Sequence, residues 1–107
     1  MTEDRLSLKL QALADPTRRA LLARLCQGEA TVNELAAPFV MSLPAISRHI
    51  KVLEKAGLIT RSRSAQQRPC QISQDGLKEV DEWMNSYRAL WEQRLDRLEA
   101  YLSSIKE

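Results

Sequence analysis

Apolar residues recur at steps of three or four along most of this chain, interrupted by short stretches marked with proline, glycine or polar groups. That period predicts a mainly helical protein. Leu6, Leu10 and Leu13 give an amphipathic first helix over residues 2–13, with Arg5 and Lys9 on its exposed side. Asp15 and Pro16 start a second helix, 16–26, in which Leu21, Leu22 and Leu25 face inward and Gly28 supplies the stop. Thr31 with Glu34 three residues later is a capping box, so a short third helix begins there, turns Val32, Leu35 and Ala36 inward, and ends at Pro38. Ser42 offers a further N-cap, Pro44 sits in a first turn where its missing N–H costs little, and Gly57 closes a fourth helix of about Leu43 to Ala56.

The period then changes. Leu58 to Arg63 and Arg68 to Ser73 read as two short strands of a hairpin, separated by Ser64, Ala65, Gln66 and Gln67 and anchored at the base by Leu58, Ile59, Cys70 and Ile72. From Gln74 onward helical spacing returns through Leu77, Val80, Met84, Tyr87, Trp91, Leu95, Leu98, Leu102 and Ile105, which predicts one long helix over residues 74–106. Its first half, Leu77 to Tyr87, is expected to pack on the chain's own core. No other element remains to cover Leu95 to Ile105 except the first helix of the same or a second subunit. Trp83, Leu90 and Tyr101 widen the apolar face beyond a narrow coiled-coil seam, so the far half is expected to pack in a helical dimer through Tyr87, Trp91, Leu95, Leu98 and Leu102, with Leu6 and Leu10.

On the fourth helix, at roughly 100° per residue, Ile46, Ile50 and Leu53 share one side while Pro44, Ser47, Arg48, Lys51 and Lys55 share the other. The second face offers small groups for close approach, a hydroxyl and a guanidinium for base edges, and ammonium groups for phosphates. A solvated helix surface is also basic and polar, and the helix alone does not separate the two readings. The hairpin that follows carries Arg61, Arg63 and Arg68 toward the same side, and a helix-turn-helix followed by a basic hairpin is a winged helix. The expected architecture is therefore a single domain, 1–107, mainly α with a small β-hairpin: a helix-turn-helix at about 31–56, a wing at about 58–73 and a C-terminal dimerisation helix. The expected DNA-binding set is Thr31, Ser42, Leu43, Pro44, Ser47, Arg48, Lys51, Lys55, Arg61, Arg63 and Arg68.

Charge distribution strengthens this picture more than the formal net charge of +2 does. Residues 42–70 hold Arg48, Lys51, Lys55, Arg61, Arg63 and Arg68 against Glu54 alone, whereas residues 1–41 balance and residues 71–107 are net acidic. Positive charge is confined to the helix and wing, as an electrostatic footprint on nucleic acid requires. A winged helix that has lost DNA binding and serves as a protein-interaction module would have lost that charge.

The order ADPTRRALLARL, TVNELA, SLPAISRHIKVLEKAGLI and a basic wing resembles the ArsR-type family of bacterial winged-helix repressors, from about Leu10 to the C-terminus. The resemblance implies a homodimer that binds a double-stranded inverted-repeat operator and represses transcription. Metal-sensing members of that family would carry two cysteines in the helix where Glu34 to Phe39 stand here, or Asp and His ligands on the last helix. This chain has neither, and its one histidine, His49, lies in the fourth helix. One His and two distant Cys do not supply the four converging ligands of a zinc site, so no metal and no cofactor are expected.

Cys26 is expected as a small semi-buried packing residue and Cys70 as a structural one, with a thiol-responsive repressor as the alternative. No signal peptide is read at the start, so a reducing cytoplasm and unpaired thiols are expected. No apolar run is long enough to span a membrane. Catalysis has little support: three isolated glycines form no phosphate loop, and the lone histidine has no nucleophile and carboxylate arranged with it in sequence. Composition leaves the identity of any small-molecule effector open.

Overall fold

The caps visible in the sequence define most of the elements. In the computed structural model, which describes residues 4–63 and 67–105, helix α1 spans Arg5–Leu13, α2 Pro16–Leu25, α3 Val32–Ala36, α4 Leu43–Lys55 and α5 Gln74–Ile105, with strands β1 Ile59–Arg61 and β2 Cys70–Ile72 between α4 and α5. The expected helix start at Thr2, the hairpin tip at Ser64, Ala65 and Gln66, and the helix end at residue 106 lie outside the described residues. Asp15 accepts the Arg18 backbone N–H at 3.0 Å and Pro16 opens α2. In the capping box the Glu34 N–H donates to Thr31 Oγ1 at 3.2 Å and the Thr31 N–H to Glu34 Oε1 at 3.0 Å. Ser42 caps α4 through the Ala45 N–H.

Helix α4 ends in a Schellman turn: the Leu58 N–H donates to the Leu53 carbonyl and the Gly57 N–H to that of Glu54, both at 3.0 Å. This turn needs the positive φ of Gly57, +81°, which glycine adopts without a Cβ penalty. The chain then enters an antiparallel hairpin in the register Ile59 with Ile72, Thr60 with Gln71 and Arg61 with Cys70. Ala30, just before α3, pairs with Cys70 as an isolated bridge, so the hairpin is tied to the helical body along its second strand. The paired strands are shorter than the expected runs.

One core serves all of this. Ala12, Leu21, Leu22, Leu25, Leu35, Ile46, Ile50, Leu53, Leu58, Ile59 and Cys70 are buried, with Leu77 and Val80 of α5 packed against them. Helix α5 leaves this core sooner than its spacing suggests: Trp83 is half-buried, whereas Met84 and Tyr87 are exposed, and so is every described residue beyond. At about 1.5 Å per residue its 32 residues make a rod of roughly 48 Å. The molecule measures 68 × 34 × 25 Å, with a radius of gyration of 18.9 Å, against about 13 Å for a compact chain of 100 residues.

Two expectations about side-chain exposure are corrected. Lys9, placed on the outer side of α1 by helical spacing, is 2% exposed, because α5 packs over that side and provides Glu79 as its partner. Cys26, expected to be semi-buried, is exposed, because α2 ends at Leu25 and Cys26 is its C-cap.

The first turn of α5 lies against the end of α4 so closely that a Cβ on Gly76 would stand 1.9 Å from the Gly57 carbonyl oxygen. Backbone forms that obstacle and cannot swing aside. Gly76→Ala is therefore expected to destabilise the protein by about 1–3 kcal/mol, the range for overpacking, measured as a lowered urea midpoint at unchanged m-value.

Candidate nucleic-acid interface

Burial of Ile46, Ile50 and Leu53 sets the rotation of α4 and leaves Pro44, Arg48, Lys51 and Lys55 exposed on the other side, with Ser47 half-buried at its border and Leu43 exposed in the first turn on the side of the buried stripe. Ahead of α4 the chain projects an apolar turn in which Val40 is wholly exposed and Met41 partly so. Val40 is absent from the expected site because its apolar neighbours Phe39 and Met41 follow no helical period; the uninterrupted run after Pro38 is the one sign of it in the sequence.

The hydroxyls of Thr31 and Ser42 both accept cap bonds, so each keeps its O–H proton for an outside acceptor. Ser42 is exposed and Thr31 half-buried.

In the wing the three arginines behave differently. Arg63 and Arg68 are exposed. Arg61, expected to project outward, instead folds across the hairpin and donates from Nε and Nη2 to the Arg68 carbonyl oxygen at 3.3 and 3.2 Å. Arg68 adopts a φ of +44°, uncommon for a residue with a side chain. Arg61 thus closes the arm of the wing across that strained position. It remains a cation within the basic face, but its donors are partly committed.

His49 is half-buried on α4, with Nδ1 3.3 Å from Arg18 Nη1 and 3.9 Å from Asp15 Oδ2. The Asp15 carboxyl lies below its ordinary range, chiefly because it accepts the Arg18 backbone N–H. Arg18 also donates from Nε to the Ala12 carbonyl at 2.7 Å and from Nη2 to that of Gln11 at 3.0 Å, and Arg19 donates to that of Leu13 at 2.7 Å. The DPTRR segment therefore starts α2 with its aspartate, satisfies the terminal carbonyls of α1 with its arginines, and steadies α4 through His49. Of this segment only the Asp15 and Pro16 helix start is legible in the sequence; the tasks of Arg18 and Arg19 are not, because the carbonyls and the imidazole they serve belong to other elements.

Burial pushes the Cys70 thiol above its ordinary value, which keeps it protonated at neutral pH. Among the described residues no group of three or more His, Cys, Asp or Glu is placed to hold a metal ion, and no helix is long and apolar enough to cross a membrane.

The model of the family described as bacterial regulatory protein, arsR family, matches residues 15–61. An HTH-type transcriptional regulator of Mycobacterium tuberculosis is 45% identical over 67 residues, which are 63% of this chain and 63% of that protein. The chain thus spans less than two thirds of that relative. The transcriptional repressor SdpR of Bacillus subtilis is 32% identical over 77 residues, covering 72% of this chain and 86% of its own length. A crystal structure of an ArsR family transcriptional regulator superposes with a TM-score of 0.76 at 45% identity, covering 83% of this chain and 98% of that one.

Removing the Arg18 guanidinium would take a donor from the Ala12 carbonyl and another from that of Gln11, which keeps the Ala14 N–H. Arg18→Ala is expected to cost about 1.5–3 kcal/mol, as for hydrogen bonds to charged groups. Arg18→Lys should recover little of it, since an ammonium lacks the planar fork that reaches two carbonyls at once. Urea unfolding of the two variants measures both.

Proposed function

Because this chain belongs to the arsR family of bacterial regulatory proteins, whose relatives are transcriptional regulators and not enzymes, we propose that it is a homodimeric, DNA-binding transcriptional repressor. In this reading α4 enters the major groove of an inverted-repeat operator while the wing contacts phosphates or the minor groove beside it. The observation that carries the proposal is the exposed face of α4, which sets Pro44, Arg48, Lys51 and Lys55 outward next to a hairpin bearing exposed Arg63 and Arg68. Arg48 stands one turn into the helix and reads a base edge; Lys51, Lys55 and the wing cations bind phosphates. Leu43, already in the expected set, and Val40 present methyl groups of the kind that meet thymine C5-methyls.

Dimerisation follows from the second half of α5. Leu90, Trp91, Leu95, Leu98, Leu102 and Ile105 are all at least 43% exposed in the single chain, an apolar strip longer than soluble monomers ordinarily leave open. A second copy covers it and places two α4 helices about 34–36 Å apart, or at a multiple of that distance, on one side of the duplex. Leu6 and Leu10 are half-buried on α1 and border this assembly.

The proposal includes no metal effector. The His49 ring is engaged by Arg18 and Asp15, and the Cys70 thiol is sealed in the core. A switch based on thiols would have to use Cys26, which is exposed. Loss of DNA binding in favour of a purely protein-interaction role is disfavoured by the retained basic face.

Selection of bound sequences from random duplexes by the purified protein tests the proposal, with a symmetric, salt-sensitive site expected and no enrichment as the result against it. On the recovered site Arg48→Ala should cost about 1–3 kcal/mol and relax preference at one base pair. Equal weakening on all sequences would make Arg48 a phosphate contact. Arg63→Ala should instead weaken every sequence and lower the salt slope by roughly 1; Arg61→Ala should do the same while also loosening the hairpin in hydrogen exchange.

Replacing Leu95 and Leu98 together by glutamate is expected to give monomers in sedimentation and a large loss of operator affinity at nearly unchanged helix content. Normal DNA binding by that variant would refute the dimeric mechanism.

A further inference from the structure

Lys9 is the one fully buried charged residue among those described. Its Nζ lies 3.2 Å from Glu79 Oε2 on α5, and Arg5, one turn earlier on α1, grips Oε1 of the same carboxylate. A Cβ on Gly57 would stand 3.4 Å from that ammonium nitrogen, so Lys9 also lies against the turn that ends α4. At the same turn α5 packs so tightly that a Cβ on Gly76 would collide with the Gly57 carbonyl, and the Ser73 N–H donates to the Leu58 carbonyl at 2.9 Å. Three elements therefore meet at one point: the start of the chain, the end of the reading helix and the root of the long arm.

Stability alone gives little reason for a charge here. Burying an ammonium carries a desolvation penalty that a well-packed apolar side chain of similar volume avoids. An ion pair differs from such packing in being directional. It holds Glu79 at a fixed position around the α5 axis, and α5 is the lever on which the rest of the proposed dimer hangs. From Glu79 to Leu98 the arm extends about 28 Å, so a swing of about 7° at its root moves that end by roughly the 3.4 Å rise of one base pair.

We propose that Lys9 is a positioning residue which, by tying Glu79 of α5 against the turn that ends α4, sets the angle between reading helix and dimer arm and so the half-site spacing the dimer accepts. This rests on the dimeric operator-binding function proposed above. Glu79 is the partner through which it acts, and Arg5 holds that carboxylate in place from the outside.

The experiment compares three duplexes: the inverted repeat recovered by selection, and the same repeat with one base pair added or removed between its halves. Wild type is expected to bind the altered spacings at least tenfold more weakly. Lys9→Met, which keeps volume and removes charge, should remain dimeric by sedimentation and keep wild-type affinity for an isolated half-site. Its spread among the three duplexes should fall below threefold, or its optimum should move by one base pair. A Lys9→Met protein that keeps the tenfold pattern, or that weakens all three duplexes by one common factor, has lost only stability and overturns the proposal. If Lys9→Met does not fold, the double variant Lys9→Met with Glu79→Leu, which removes the tie and leaves neither charge unpaired, must show the same flattening, and an unchanged pattern overturns the proposal equally. Wild type that binds the repeat specifically but tolerates all spacings overturns this inference alone; wild type that enriches no sequence overturns both this and the operator-binding function.

Discussion

Burial of Ile46, Ile50 and Leu53 along one side of α4 is the constraint on which the rest of the structure depends. A helix docked by three such side chains in a close-packed interior has no freedom to rotate, so whatever stands opposite them is presented outward. Pro44, Arg48, Lys51 and Lys55 are presented for that reason. The same docking fixes where α4 ends, and the Schellman turn at Gly57 then delivers Leu58 and Ile59 straight into the core. The wing therefore hangs from the same buried cluster as the helix it accompanies, and the two basic elements share one rigid support.

Polar contacts add orientation to what apolar burial holds together. The Arg18 fork joins α1, α2 and the imidazole of α4: it donates to the Ala12 and Gln11 carbonyls at the end of α1 and stands beside His49 Nδ1. Arg61 closes the hairpin across the unusual backbone of Arg68. Each uses a guanidinium, whose planar array of donors reaches several acceptors from one position. Lys9 contributes a different kind of restraint, a single buried charge at the place where α1, α4 and α5 converge.

The apolar arm stands outside this economy. Beyond Trp83 every described residue of α5 is exposed in the single chain, yet the helix keeps aromatic and leucine side chains at helical spacing along its length. Exposed apolar area on that scale is a property of an unfinished surface, and the helix can carry it only because its backbone hydrogen bonds are satisfied internally.

What the sequence determined by itself was everything governed by neighbours within about four residues. Asp15 with Pro16, Thr31 with Glu34, Ser42 with Pro44, and Gly57 each announce a helix end, and the three-and-four spacing of leucines and isoleucines names the buried stripe of α4. Only the tertiary structure decided the fate of charged and polar side chains whose partners lie far along the chain. Lys9 reads as exposed from α1 alone, and its partner comes 70 residues later on α5. Arg18, Arg61 and Cys26 were likewise set by which carbonyl, strand or helix end came to lie beside them. Periodicity reports one face of one element, whereas burial of a long polar side chain depends on two elements meeting, and no local pattern encodes where a distant segment will return.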